Sequence, residues 1–143
     1  MCKKLCQKAL VEILASMPLY RDVERYGRVE VPFYKRAQIT AADLQRACRG
    51  AKPGHFEDLD ELTLFADNLV PHVLRQAGVL IYDPLLLQRI ERRELLVAGS
   101  REEIEIRAAA LHAVESMAEK IAEVKELPLG QVVSQTYQNS LRV

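Results

Sequence analysis

Ser100-Arg101-Glu102-Glu103-Ile104-Glu105-Ile106-Arg107-Ala108 opens the stretch that decides the fold. Ser100 and Glu103 have the spacing of a capping box, in which the serine hydroxyl takes the amide of the glutamate and the glutamate reaches back. Behind them Ile104, Ala108, Leu111, Val114, Ala118, Ile121 and Ala122 recur at intervals of three and four, one apolar stripe that ends before Pro128. This is the longest helix in the chain, and the flanking sequence repeats its logic in shorter pieces. Asp83-Pro84 is a cap followed by proline at the first helical position, starting a helix through Leu85, Leu86 and Ile90. Pro71 and Gly78 bracket a helix that carries Val73, Leu74 and Ala77.

Upstream, Leu5, Ala9, Leu10, Ile13 and Leu14 mark a first helix closed by Met17-Pro18. Thr40-Ala41-Ala42-Asp43 places a cap before a helix over about 40–49 that stops at Gly50, with Lys52-Pro53-Gly54 as the loop after it. Residues 19–33 read as irregular, with Val29-Glu30-Val31 as a short extended piece, and a weakly patterned last helix covers about 129–141. Helices joined by short connections, without a convincing set of strands, predict an all-α class and a single domain over 1–143.

Composition narrows the function classes. The chain has 143 residues, 20 basic against 20 acidic, and a net charge of zero, so it offers no field for a nucleic-acid backbone. A single nucleotide is not excluded by that balance. No run is long and apolar enough for a membrane helix, and Met1-Cys2-Lys3-Lys4-Leu5-Cys6 lacks a signal-peptide core, which leads to the expectation of a cytoplasmic protein. Cys2, Cys6 and Cys48 form no disulfide framework, and they read as reduced thiols. Neither His55 nor His72 has a partner at ligand spacing, so no metal and no cofactor is expected.

Charged groups set in apolar sequence form three clusters. In Val31-Pro32-Phe33-Tyr34-Lys35-Arg36-Ala37-Gln38-Ile39, Lys35 as a point charge and Arg36 as a bidentate fork would suit a phosphate beside a stacking aromatic. On the residues alone, a solvated cation pair at a helix end outweighs that reading. In Leu62-Thr63-Leu64-Phe65-Ala66-Asp67-Asn68-Leu69-Val70-Pro71, Asp67 is either a fixed anion facing a cationic transition state or, with Asn68, a cap for the helix near Pro71. The cap is the better reading without further information. In Glu102-Glu103-Ile104-Glu105-Ile106-Arg107, Glu105 and Arg107 diverge on the helix surface, and acids at a helix head suit its dipole.

Tyr20-Arg21-Asp22-Val23, Phe33-Tyr34-Lys35-Arg36-Ala37-Gln38-Ile39, Phe56-Glu57-Asp58, Leu62-Thr63-Leu64-Phe65-Ala66-Asp67, Gly78-Val79-Leu80-Ile81-Tyr82 and Glu103-Ile104-Glu105-Ile106-Arg107-Ala108, in that order, resemble the queuosine salvage proteins. The resemblance covers about residues 10–115. It implies a helical domain like the helix-hairpin-helix DNA glycosylases, corresponding to the C-terminal half of a family about twice this length. It also implies cleavage of the N-glycosidic bond of queuosine 5'-phosphate, releasing queuine for tRNA modification. On that resemblance Asp67 is the catalytic acid, and Phe65, Asn68, Lys35 and Arg36 meet the substrate. Glu105 and Arg107 hold the pocket together by an ion pair or hydrogen bonds.

The chain departs from the family pattern at two places. After Phe65-Ala66-Asp67 the family continues Tyr-Arg-Val-Pro-Gln, where this chain has Asn68-Leu69-Val70-Pro71-His72. A late acidic segment, Asp-x-Tyr-Leu-Trp, is matched by Ser134-Gln135-Thr136-Tyr137-Gln138, which lacks the acid and the tryptophan. Those changes support an alternative, a degenerate member that serves as a binding or assembly module with a partner chain. A nucleic-acid-binding helical domain is the third reading, and the balanced charge opposes it.

Overall fold

Serine 100 starts the longest helix as its spacing predicts: its Oγ accepts from the amide of Glu103 at 3.3 Å. The Glu103 carboxylate reaches back one residue further than a standard box, taking the amide of Gly99 at 3.2 Å. The computed structural model describes residues 7–49, 56, 58, 62–65 and 67–126. Among these, the order is α1 (Gln7–Ala15), β1 (Val23–Tyr26), β2 (Val29–Pro32), α2 (Lys35–Ala47), α3 (Leu69–Gln76), α4 (Pro84–Glu91) and α5 (Arg101–Lys125). The expected helix at 129–141, the loop at 52–54 and the late segment at 134–138 lie outside the described residues, as do Cys2, Cys6 and His55.

Two of the shorter helices obey their local signals. Asp83 accepts from the amides of Leu85 at 2.9 Å and Leu86 at 3.4 Å, with Pro84 at the first position. Helix α3 ends in a Schellman motif, in which Val79 N donates to Leu74 O and Gly78 N to Arg75 O. Gly78 takes the left-handed φ of +73° that this ending requires.

Two expectations are corrected. The all-α class becomes mostly helical, because β1 and β2 pair antiparallel with Val23 opposite Pro32 and Tyr26 opposite Val29. Gly27, at φ +61°, supplies the positive angle that a two-residue hairpin turn needs at its first position. An isolated hairpin is marginal in water. This one is held by Tyr26 and Val31, which pack with the buried pair Phe33 and Ile104 and so fix the hairpin to α5.

Helix α2 begins at Lys35 and not near Thr40, which is interior to it. The residue before it, Tyr34, makes no side-chain cap and sits at φ 49°, ψ 30°. The missing cap comes from Asp22, whose Oδ2 accepts the amide of Lys35 at 3.1 Å. Val11 of α1 packs on Ala37 and Ala41 of α2, with Leu10, Leu14, Tyr20 and Tyr34 around them. The small alanine side chains let the two helices approach closely. Asp58 closes the N-terminus of α1, accepting from the amides of Gln7 at 2.7 Å and Lys8 at 3.0 Å.

On α5, burial raises the pKa of Glu115, the neighbouring Glu119 raises it further, and His112 partly offsets both. The folded chain therefore holds this proton more tightly than the unfolded one. Stability falls as pH rises from the ordinary carboxylate range through the raised value. Glu115→Gln should accordingly raise the thermal midpoint at pH 7 and remove that part of the pH dependence, as read by thermal melts at pH 4.5 and 7. Among the described residues no helix is long and apolar enough to cross a membrane.

Candidate functional site

The segment leading into β1, the first turn of α2 and the heads of α3 and α5 converge on a concavity of about 320 Å³. Asp22 comes from the strand entrance, Lys35 and Arg36 from the first turn of α2, Asp67 and Asn68 from the head of α3, and Glu103 and Arg107 from α5. Pro18, Leu19 and Arg21 complete the wall.

Asp67 fulfils the capping reading of the sequence and also faces a cation. Its Oδ1 accepts from the amides of Leu69 at 2.9 Å and Val70 at 3.2 Å, which is the work of an N-cap. Asn68, exposed at the same helix head, makes no side-chain cap bond. The second oxygen of Asp67 lies 3.6 Å from Lys35 Nζ, with the side chains 34% and 31% exposed. One oxygen is thus tied to the backbone, while the other shares the concavity with a cation. Arg36 is exposed and donates from Nη1 to the carbonyl of Leu19 at 3.1 Å.

Phe65 is half-buried and lies outside the lining of this concavity. The segment that carries it is tied to α2 by the buried side chain of Gln38. Gln38 Nε2 donates to Phe33 O at 2.9 Å and to Thr63 Oγ1 at 2.9 Å, and its Oε1 accepts from Thr63 N at 2.9 Å. Gln38→Leu preserves the volume but strands the Thr63 amide and the Phe33 carbonyl. We expect a loss of about 2 kcal/mol in urea denaturation, with faster amide exchange at Thr63.

Glu105 and Arg107 diverge, as their spacing predicts, and they take different partners. Glu105 accepts from the Tyr26 hydroxyl and from Arg101 Nε at 2.8 Å on the outer side of the helix. These bonds, the tyrosine first, hold its carboxyl below the usual range. Arg107 turns inward, 11% exposed, donating from Nη2 to Asp22 Oδ2 at 2.6 Å and from Nη1 to Glu103 Oε1 at 3.4 Å. Its guanidinium lies 3.8 Å from the centroid of the Phe33 ring. Arg107 therefore ties α5 to the strand entrance, while Glu105 ties it to the hairpin.

Sequence reasoning gave no role to Asp22. No local signal points to it, because the Lys35 amide that Asp22 accepts lies 13 residues later in the chain. A larger concavity, about 450 Å³ between α1 and the hairpin, is lined by Glu12, Ser16, Glu30 and Tyr34 among others. It contains none of the predicted site residues, and the smaller one is favoured because its charged groups converge. Among the described residues, no cluster of three His, Cys, Asp or Glu side chains has metal-binding geometry.

The family model described as queuosine salvage protein matches residues 1–137 of the chain. A queuosine 5'-phosphate N-glycosylase/hydrolase of Sphaerobacter thermophilus is 50% identical over 115 residues, which is 80% of this chain and 36% of that protein. The protein of the same description from Bos taurus is 37% identical over 123 residues, 86% of this chain and 36% of its own length. That from Dictyostelium discoideum is 43% identical over 98 residues, 68% and 30% respectively. The chain thus spans about a third of the length of the curated relatives it matches.

Proposed function

The chain belongs to the queuosine salvage protein family, and on that premise we propose that it carries the acid-bearing part of a queuosine 5'-phosphate N-glycosylase/hydrolase site. The observation that supports this most directly is the divided use of the Asp67 carboxylate. One oxygen is fixed by two α3 amides, and the other faces a polar concavity 3.6 Å from Lys35. Breaking the C–N bond between ribose and base builds positive charge on the sugar. A carboxylate held in place before the reaction stabilises that charge without reorganising. Water then completes hydrolysis and queuine leaves for reuse in tRNA modification.

Lys35 and Arg36 at the first turn of α2 suit the 5'-phosphate, one as a point charge and the other as a fork. Asn68 offers hydrogen bonds at the same rim, and Phe65, which does not line this concavity, is assigned to the base where the substrate extends beyond it. Arg107 and, further out, Glu105 keep the elements in register. This reading carries with it a single helical domain over 1–143 that resembles the helix-hairpin-helix glycosylases and works in the cytoplasm. Incubating the full chain with queuosine 5'-phosphate should release queuine detectable by mass spectrometry. No release together with no binding at millimolar substrate would overturn the reading.

A second reading, a family member that has kept the fold as a binding or assembly module, is favoured by Leu69. It stands where the family has a polar residue and is 64% exposed beside Asp67. It predicts a stable complex or self-association in native mass spectrometry, and a monomeric, active chain would refute it.

A further inference from the structure

We propose that Asp22 is a positioning residue that aims Lys35 at Asp67 across the concavity, an inference that rests on the reading of those two residues given above. Lys35 is the first residue of α2, so the direction of its side chain depends on how the helix start is held. That start is unusual. Tyr34 supplies no side-chain cap and occupies the left-handed region at φ 49°, which a bulky residue adopts only when its surroundings enforce it.

The enforcement comes from Asp22. Its carbonyl accepts from Phe33 N at 2.9 Å and Tyr34 N at 3.1 Å, and its Oδ2 accepts from Lys35 N at 3.1 Å. Three consecutive amides thus end on one residue. The same Oδ2 is gripped by Arg107 Nη2 at 2.6 Å, with Asp22 20% exposed. Arg107 belongs to α5, so Asp22 transfers the position of the long helix to the first turn of α2. Without the carboxylate Phe33 and Tyr34 keep the Asp22 carbonyl, but the Lys35 amide loses its acceptor and Lys35 Nζ is no longer held near Asp67. The loss acts on the reacting centre through Lys35, since Asp22 itself makes no bond to Asp67.

The test compares the full chain with Asp22→Asn, which keeps an oxygen for the Lys35 amide but removes the charge that orders Arg107, and with Asp22→Ala, which removes both. Circular dichroism first establishes folding. Turnover of queuosine 5'-phosphate is then measured alongside the backbone amide shifts of Leu69 and Val70, the two amides bonded to Asp67. Misplacement of a group by about 1 Å can cost on the order of a hundredfold in rate. The expected result is a kcat lowered about tenfold in Asp22→Asn and about a hundredfold in Asp22→Ala, with KM changed much less and both amides shifted.

An unchanged kcat in folded Asp22→Asn and Asp22→Ala, or amides of Leu69 and Val70 that stay in place in both, overturns the proposal. Failure of both variants to fold overturns it as well, by making Asp22 a purely structural residue. If the unaltered chain shows no turnover, the functional reading fails while the amide shifts still decide whether Asp22 controls the Lys35 and Asp67 geometry.

Discussion

Asp67→Asn should abolish most release of queuine while leaving the fold in place. The two roles of this side chain make the separation possible. Asparagine caps a helix about as well as aspartate, so its side-chain oxygen can still take the amides of Leu69 and Val70. The half-exposed contact with Lys35 is worth about 1 kcal/mol or less to stability. Urea denaturation should therefore differ little from the unaltered chain. What disappears is the negative charge that the proposed reading sets opposite the ribose, and loss of a preorganised electrostatic group costs roughly 10²–10³-fold in kcat. Asp67→Ala should lose the same activity and, in addition, about 1 kcal/mol of stability, because the cap goes with the charge. Mass-spectrometric detection of queuine, paired with denaturation curves, checks both variants. If Asp67→Asn retains full turnover, Asp67 is a cap and the reacting group lies elsewhere.

Asp67 also shows what the sequence could and could not reveal. Cap and anion are separate readings of a one-dimensional string, yet a carboxylate has two oxygens, and the fold commits one to the cap and sets the other 3.6 Å from Lys35. Signals that act within a few residues were legible. Ser100 with Glu103, Asp83-Pro84, and Gly78 fixed helix ends at their expected places, since each satisfies orphan amides or carbonyls of its own helix. The start of α2 was not legible, because its acceptor lies at Asp22, 13 residues earlier. Thr40 is a good local cap, but a distant carboxylate that also pairs with Arg107 allows the helix to begin sooner.

The hairpin failed for a different reason. Most of its strand positions are half or fully exposed and neither strand alternates cleanly, so the period-two signal of a half-buried sheet is absent. Gly27-Arg28 also lacks the Asn-Gly or Asp-Gly pair that announces a tight turn. Packing of Tyr26 and Val31 around Phe33 and Ile104 makes the hairpin form, and those contacts join residues far apart in the chain. Among the site residues, the divergence of Glu105 and Arg107 followed from helix geometry, but their partners Tyr26 and Asp22 became visible only once the hairpin was in place.

Arg107→Leu should be the most destabilising of the substitutions considered, because this one cation serves two acids and a ring in a largely enclosed place. Its guanidinium bonds Asp22 at 2.6 Å and Glu103 at 3.4 Å and lies over Phe33. Leucine fills part of the space but leaves two carboxylates converging without a counter-charge. Breaking a buried pair from one side costs about 3–5 kcal/mol, and the partial exposure of Asp22 and Glu103 places the expected loss near the lower figure. The deficit should shrink at high salt, where screening weakens the repulsion between the two acids. Arg107→Lys tests whether charge alone suffices. Lysine keeps the charge but not the planar fork that spans two carboxylates while stacking on a ring, so an intermediate loss of about 1–2 kcal/mol is expected. Urea curves at low and high salt distinguish these outcomes. A loss that is equal at both salt concentrations for Arg107→Leu would mean that packing against Phe33, and not the pairing with Asp22 and Glu103, is what Arg107 contributes. In that event the link from α5 through Asp22 to Lys35 would have to be carried by the hairpin alone.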